Sequence, residues 1–168
     1  MRTAQPFLPG ALACALACAA PALARDSLGI WADWGAFRDI GVPRCYAIAM
    51  ATAMPGRHND FQPYVTVGTW PRRGTRGEVH VRLSRRLAPG GPVKVALGGQ
   101  TFALVAGQAD AWSQDGRMDA AIVAAMRSAS DLTVTARAAD GRTFKDYYRL
   151  AGAASAMDAA ALGCAGGG

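Results

Sequence analysis

Short runs of alternating apolar and polar residues, each closed by a turn residue, constrain this chain more than any other feature it carries. Val79, Val81 and Leu83 alternate with Glu78, His80, Arg82 and Ser84, a period of two that sets one row of side chains against a core and the other in water. The same punctuated pattern runs from Leu28 to Leu104. It predicts strands over Gly29 to Phe37, Cys45 to Ala53 and Tyr64 to Trp70, parted by turn residues at Gly41 to Pro43 and Pro55 to Asp60. Val93, Val95 and Leu97 lead through Gly98 and Gly99 to Phe102 and Leu104, a hairpin whose glycine pair accepts positive φ. A second hairpin pairs Leu132, Val134 and Ala136 with Thr143 to Leu150 across Asp140-Gly141, one of the strongest short hairpin signals.

Two segments break this period. Met118, Ile122 and Met126 recur every fourth residue between Asp115 and Ser130 with alanines between them, which predicts an amphipathic helix crossing between the hairpins. The alanine-rich run Ala153 to Leu162 predicts a terminal helix stopped by Gly163, and residues 165–168 read as a disordered tail. The expected fold is therefore mainly β: an antiparallel β-sandwich of about seven or eight strands with one crossing helix and a short C-terminal helix.

The amino terminus carries a different signal. Met1 and Arg2 precede an apolar run from Phe7 to about Ala20, then Ala22, Leu23 and Ala24 before the charged Arg25 and Asp26. A positive start, an apolar centre and a small-x-small site read in order as a secretory signal peptide over residues 1–24. The run is too short for a membrane helix, which needs roughly 20 apolar residues. Lipidation at Cys14 or Cys18, each preceded by Ala-Leu-Ala, is the alternative processing. Cleavage after Ala24 leaves about 144 residues, enough for a single domain over residues 25–164 with a real core. It also leaves Cys45 and Cys164 as the remaining cysteines, which in an oxidising compartment are most simply one disulfide, with two separate buried thiols as the alternative.

No motif of catalysis stands out: the chain has no G-x-S-x-G, H-E-x-x-H or Walker loop, and the mature part has no C-x-x-C. His58 lies in a turn-rich segment beside Asp60, and His80 on the wet face of its strand. Neither implies a metal, because a zinc site would have to recruit carboxylates from elsewhere. Trp31, Trp34, Trp70 and Trp112 are expected to pack in or beside the core; two of them exposed side by side would instead mark a binding surface. Arg72, Arg73 and Arg76, followed by Arg82, Arg85 and Arg86, form a basic cluster on either side of a turn near Gly74 to Gly77. Gathered guanidiniums bind phosphate, sulfate or carboxylate, so the cluster is a candidate site for lipopolysaccharide, acidic glycan or phospholipid head groups. A solvated surface in an arginine-biased proteome is the plainer reading. An exported chain does not meet cytoplasmic nucleic acid, so no nucleic-acid partner is expected. No cofactor is implied.

Several of these segments together resemble the invasion-associated locus B family: Gly29 to Trp34 near the mature start, Cys45 followed by a β run, the Met118 to Met126 helix before a hairpin, and Tyr147-Tyr148-Arg149-Leu150-Ala151-Gly152 running into Ala153 to Asp158. Ala153 stands where that family often has an aromatic residue, and relatives can carry additional cysteine pairs. The resemblance implies a secreted chain in which a sheet strand runs through a leucine-glycine step into a terminal helix, and it transfers no catalytic residues. The function expected on these grounds is that of an exported, non-enzymatic interaction protein of the periplasm or outer surface with an unidentified envelope or surface partner. A binding module for anionic ligands is the alternative.

Overall fold

The computed structural model describes residues 25–39 and 41–165; the signal peptide expected at residues 1–24, and residues 166–168 of the expected tail, lie outside them. Ten strands alternate with two helices: β1 (Arg25–Trp31), β2 (Trp34–Asp39), β3 (Arg44–Met50), β4 (Tyr64–Trp70), β5 (Thr75–Arg82), β6 (Val93–Leu97), β7 (Gln100–Ala106), β8 (Asp110–Trp112), α1 (Gly116–Met126), β9 (Asp131–Arg137), β10 (Thr143–Arg149) and α2 (Ala153–Gly163). A single antiparallel ladder joins all the strands in the order β1-β2-β3-β4-β5-β8-β7-β6-β9-β10. The mainly β architecture, the crossing helix and the short C-terminal helix agree with the sequence reading. The two layers are halves of one curled sheet, joined through the three-residue β8, which pairs with β5 on one side and β7 on the other. Both halves turn their apolar rows onto a common core, with Val65, Val79 and Val81 from one and Val95, Leu132 and Val134 from the other.

The strands number ten against the seven or eight expected, with β8 not anticipated, and two boundaries also differ from the sequence reading. Gly29 to Phe37 is not one strand but the hairpin β1–β2, turning at Ala32, which takes φ +49°. The loop is Ala32-Asp33; Asp33 is its one turn-favouring residue, and alanine rarely adopts the left-handed region that Ala32 takes. The apolar run beginning at Cys45 ends its strand at Met50 rather than Ala53, since Thr52 donates its amide to the Tyr147 carbonyl at 2.7 Å and starts a loop along the outer edge of β10. That loop is held by Arg57, whose guanidinium bonds the Lys145 carbonyl and pairs with the buried Asp146 at 3.3 Å. An edge strand left bare would be a template for another chain, so this loop shields it.

Buried carboxylates finish what the ladder leaves open. Asp146 accepts the Ser84 amide at 3.0 Å, and Asp119 of α1 accepts the Val79 amide at 2.8 Å, so each satisfies a backbone donor that burial would otherwise leave unpaired. Asp115 caps α1 by accepting the amides of Arg117 and Met118. At the other end, α2 lies across β1 to β4. Gly152 and Gly163 allow this close fit: a Cβ at Gly152 would lie 2.1 Å from the Trp31 carbonyl oxygen, and one at Gly163 2.5 Å from Leu28 Cδ1. The Cys45–Cys164 disulfide, with Cα atoms 5.7 Å apart, ties the end of α2 to β3.

Candidate functional site

The register of β2, β3, β4, β5 and β8 stacks the outward-facing residues of the sheet into cross-strand rows. Phe37, Tyr46, Gly68 and Glu78 form one row. The next is Ile48, Thr66, His80 and Trp112, and the next Met50, Tyr64, Arg82 and Asp110. Beyond the first row a bulge between Gly68 and Trp70 turns the Trp70 indole back toward the glycine, so that a Cβ at Gly68 would sit 3.4 Å from its Nε1. The missing side chain at Gly68 opens a notch in the floor. These rows, apart from Phe37, Arg82 and Asp110, join Arg25, Arg44 and Trp70 in lining a groove of about 450 Å³, the size of ordinary ligand clefts.

Aromatic rings and charges are interleaved in it. The Trp70 ring carries the Arg73 guanidinium at 4.7 Å and that of Arg44 at 5.2 Å from its centroid, within cation–π range. Its Nε1 donates to Glu78 Oε1 at 3.2 Å. Arg44 also lies 4.5 Å over Tyr46 and donates to Asp39 at 2.8 Å, a carboxylate it shares with Arg25. Tyr46 is thereby covered to 4% exposure. Its hydroxyl has no hydrogen-bond partner among the described residues. Burial, and after it the Asp39 charge, push its phenol above the usual tyrosine range against the pull of Arg25 and Arg44. At the opposite end His80 stacks on Trp112 with ring centroids 5.1 Å apart and meets Asp110 through Nε2 at 2.9 Å, while Arg82 pairs with the other oxygen of Asp110.

The six arginines singled out in the sequence do not gather into one face. Arg76 and Arg82 stand six positions apart along β5, about 20 Å of strand. Arg72 and Arg73 sit in a single 3-10 turn, Pro71–Arg73, where Arg73 covers Trp70 and Arg72 is exposed. Arg76 instead lines a small cleft with Cys164 and Ala165 at the end of α2. Arg82 is neutralised by Asp110 and lies over Phe61 at 4.2 Å. Arg85 bridges Asp60 and Asp140, and Arg86 gives its amide to Asp60. Those bonds, the Arg86 amide foremost, hold the Asp60 carboxyl below its ordinary range. A second depression of about 420 Å³ lies near Arg85, lined also by Arg57, Arg142 and Lys145.

His58 is 86% exposed near Asp60. Among the described residues no cluster of three His, Cys, Asp or Glu side chains is placed to hold a metal ion, and no helix is long and apolar enough to cross a membrane. Of the tryptophans, Trp34 is wholly buried and donates to the Arg149 carbonyl at 2.9 Å, and Trp31 packs against the core. Trp70 and Trp112 line the groove instead, Trp112 at 38% exposure. The sequence marks each as a costly residue to expose. It does not reveal that they share a face, which follows only from the register of β4, β5 and β8.

The fold and this face define a class: a curled antiparallel β domain with a tethered terminal helix, bearing an aromatic and arginine-rich groove on the outside of its sheet. The family described as Invasion associated locus B (IalB) protein matches residues 65–161. The chain belongs to that family. The matched stretch runs from β4 into α2 and includes Trp70, Glu78, His80 and Trp112, whereas Arg44, Tyr46 and both disulfide cysteines lie outside it. No curated protein and no solved structure is significantly similar to the chain.

Proposed function

We propose that this chain is an exported, non-enzymatic interaction protein of the periplasm or outer surface, and that it engages its partner through the outer face of β3, β4, β5 and β8. One observation carries the reading: Trp70 and Trp112 line a single groove on the outside of the sheet, although tryptophan is the costliest side chain to leave in water. Family membership supports it, as does the signal-peptide pattern of residues 1–24. The non-enzymatic reading is supported by the family, which is not known for an enzymatic activity. A second reading, a module for anionic ligands, is favoured by Arg44 and Arg73 flanking Trp70.

The test has two parts. Intact mass of the envelope fraction is expected to give a mature chain beginning at Arg25; a lipid-modified product starting at Cys14 or Cys18 would contradict the processing. A photo-crosslinking side chain placed at Thr66 in the groove is expected to capture a partner in living cells. The same group at Lys94, exposed on β6, is expected to capture none. Equal capture at both positions, or capture at Lys94 alone, removes the groove as the binding face.

A further inference from the structure

We infer that the groove takes an acidic saccharide chain, with a carboxylate or sulfate at the Trp70 end and uncharged sugar rings running toward Trp112. The inference rests on the proposed binding face and adds the chemistry of what fills it. Charge is unevenly spread along the groove. At the Trp70 end Arg44 and Arg25 line the groove, Arg44 against Trp70 and Arg25 beside Tyr46, and Arg73 stands on the Trp70 ring just outside that lining; the carboxylates of Asp39 and Glu78 oppose them, and Arg72 is exposed on the same turn as Arg73. Arg73 has no ion pair among the described residues. At the Trp112 end Arg82 and His80 both face Asp110, which leaves no comparable excess. An anionic group is therefore favoured at one end and has little to gain at the other.

The form of the Trp70 end sharpens this. A guanidinium held within cation–π range of an indole is already restrained, so less freedom is lost when it bonds a planar or tetrahedral anion. The floor between the two ends mixes ring faces with polar groups, the Tyr64 and Thr66 hydroxyls beside the His80 ring. A purely apolar occupant would strip water from those polar groups without replacing its hydrogen bonds, and a small free anion would leave the aromatic surface uncovered. A sugar ring offers a C–H face and a rim of hydroxyls, and so satisfies both. Along β4 the groove extends for about 20 Å from Trp70 to Tyr64, a length suited to an oligomer.

Titration of the mature protein with three oligosaccharides of matched length tests the inference: one from polygalacturonate, one from heparin and a neutral one from dextran. Tryptophan fluorescence and calorimetry are the readouts. At least one acidic oligosaccharide is expected to bind tenfold or more tightly than dextran, and the preference between the other two separates carboxylate from sulfate. Affinity is expected to fall about tenfold in Arg73→Gln and in Trp112→Ala, and to be unchanged in Arg142→Gln, whose side chain belongs to the second depression. If dextran binds as tightly as the acidic oligosaccharides, or if none of the three binds while Thr66 still captures a partner in cells, the acidic saccharide is wrong and the binding face survives. If Arg142→Gln abolishes binding and Arg73→Gln does not, both fall.

Discussion

Gly152 begins the joint between β10 and α2 with φ +87°, its Cα hydrogen directed at the Trp31 carbonyl. A left-handed backbone alone costs an L-residue roughly 1–2 kcal/mol, and a backbone oxygen cannot swing aside as the end of a side chain can. Gly152→Ala is therefore expected to lose at least about 2 kcal/mol, seen as a lower urea midpoint at an unchanged m value. Gly74→Ala, also at positive φ but with open space around it, is expected to lose about 1 kcal/mol. Equal losses would show that the contact with Trp31 contributes nothing. Tyrosine ionisation gives a second residue-scale test. Burial, then the Asp146 charge, raises the Tyr148 phenol far above 10.0, and Tyr46 is raised as well. Below about pH 10 both folded and unfolded phenols are protonated and the contribution to stability is whole. As pH rises further the unfolded chain gives up these protons first, so stability is expected to fall. Denaturant melts at about pH 9 and 11 measure the loss, and Tyr148→Phe, which removes a hydroxyl with no partner among the described residues, is expected to reduce it. An unchanged pH dependence in that variant would contradict the burial of its phenol.

At the scale of elements, α2 is the piece whose attachment can be weighed. It is the last element, its helix cap at Gly152 makes no side-chain bond, and its tether is Cys164, joined to Cys45 across a sequence separation of 119. The chain-entropy treatment puts the effect of closing a loop that long near 5 kcal/mol, comparable to the net stability of many small domains. Cys45→Ser is expected to lower the melting temperature and to admit protease first within α2. Unchanged melting would show that packing of α2 on β1 to β4 suffices alone. The same elements show what the sequence made legible. Period-two alternation located β5, β6, β7, β9 and β10, and the Met118-Ile122-Met126 spacing located α1, because each pattern lies within its own element. The β1–β2 hairpin stayed hidden because its loop is Ala32-Asp33, with a lone Asp as its turn signal and alanine at the position of positive φ. β8 stayed hidden because three residues are too few for a period. Trp70 and Trp112 could not be assigned a face, because their facing depends on a bulge and on pairings across strands distant in sequence.

At the scale of the molecule, a curled sheet has an inside and an outside. The inside is filled by valine rows and two alanine-rich helices. Both ends of the sheet are managed: α2 packs against β1, and the Arg57-anchored loop runs along β10. What remains is the outer face over β3 to β8, where aromatic side chains that the core did not take are laid out with arginines between them. Arg82, Arg85 and Arg86 are largely occupied with local carboxylates or an aromatic ring, so the electropositive character that matters sits at Trp70. Net charge alone, spread over the surface, would predict no such polarity. Of the four tryptophans, Trp70 and Trp112 line the proposed binding groove and Trp31 and Trp34 do not, and indole N–H signals in a nitrogen–proton correlation spectrum resolve them one by one. On adding the tighter-binding acidic oligosaccharide, the signals of Trp70 and Trp112 are expected to shift together and saturably, with those of Trp31 and Trp34 unmoved. Shifts confined to Trp31 and Trp34, or no shift at Trp70, would contradict a binding site on the outside of this sheet.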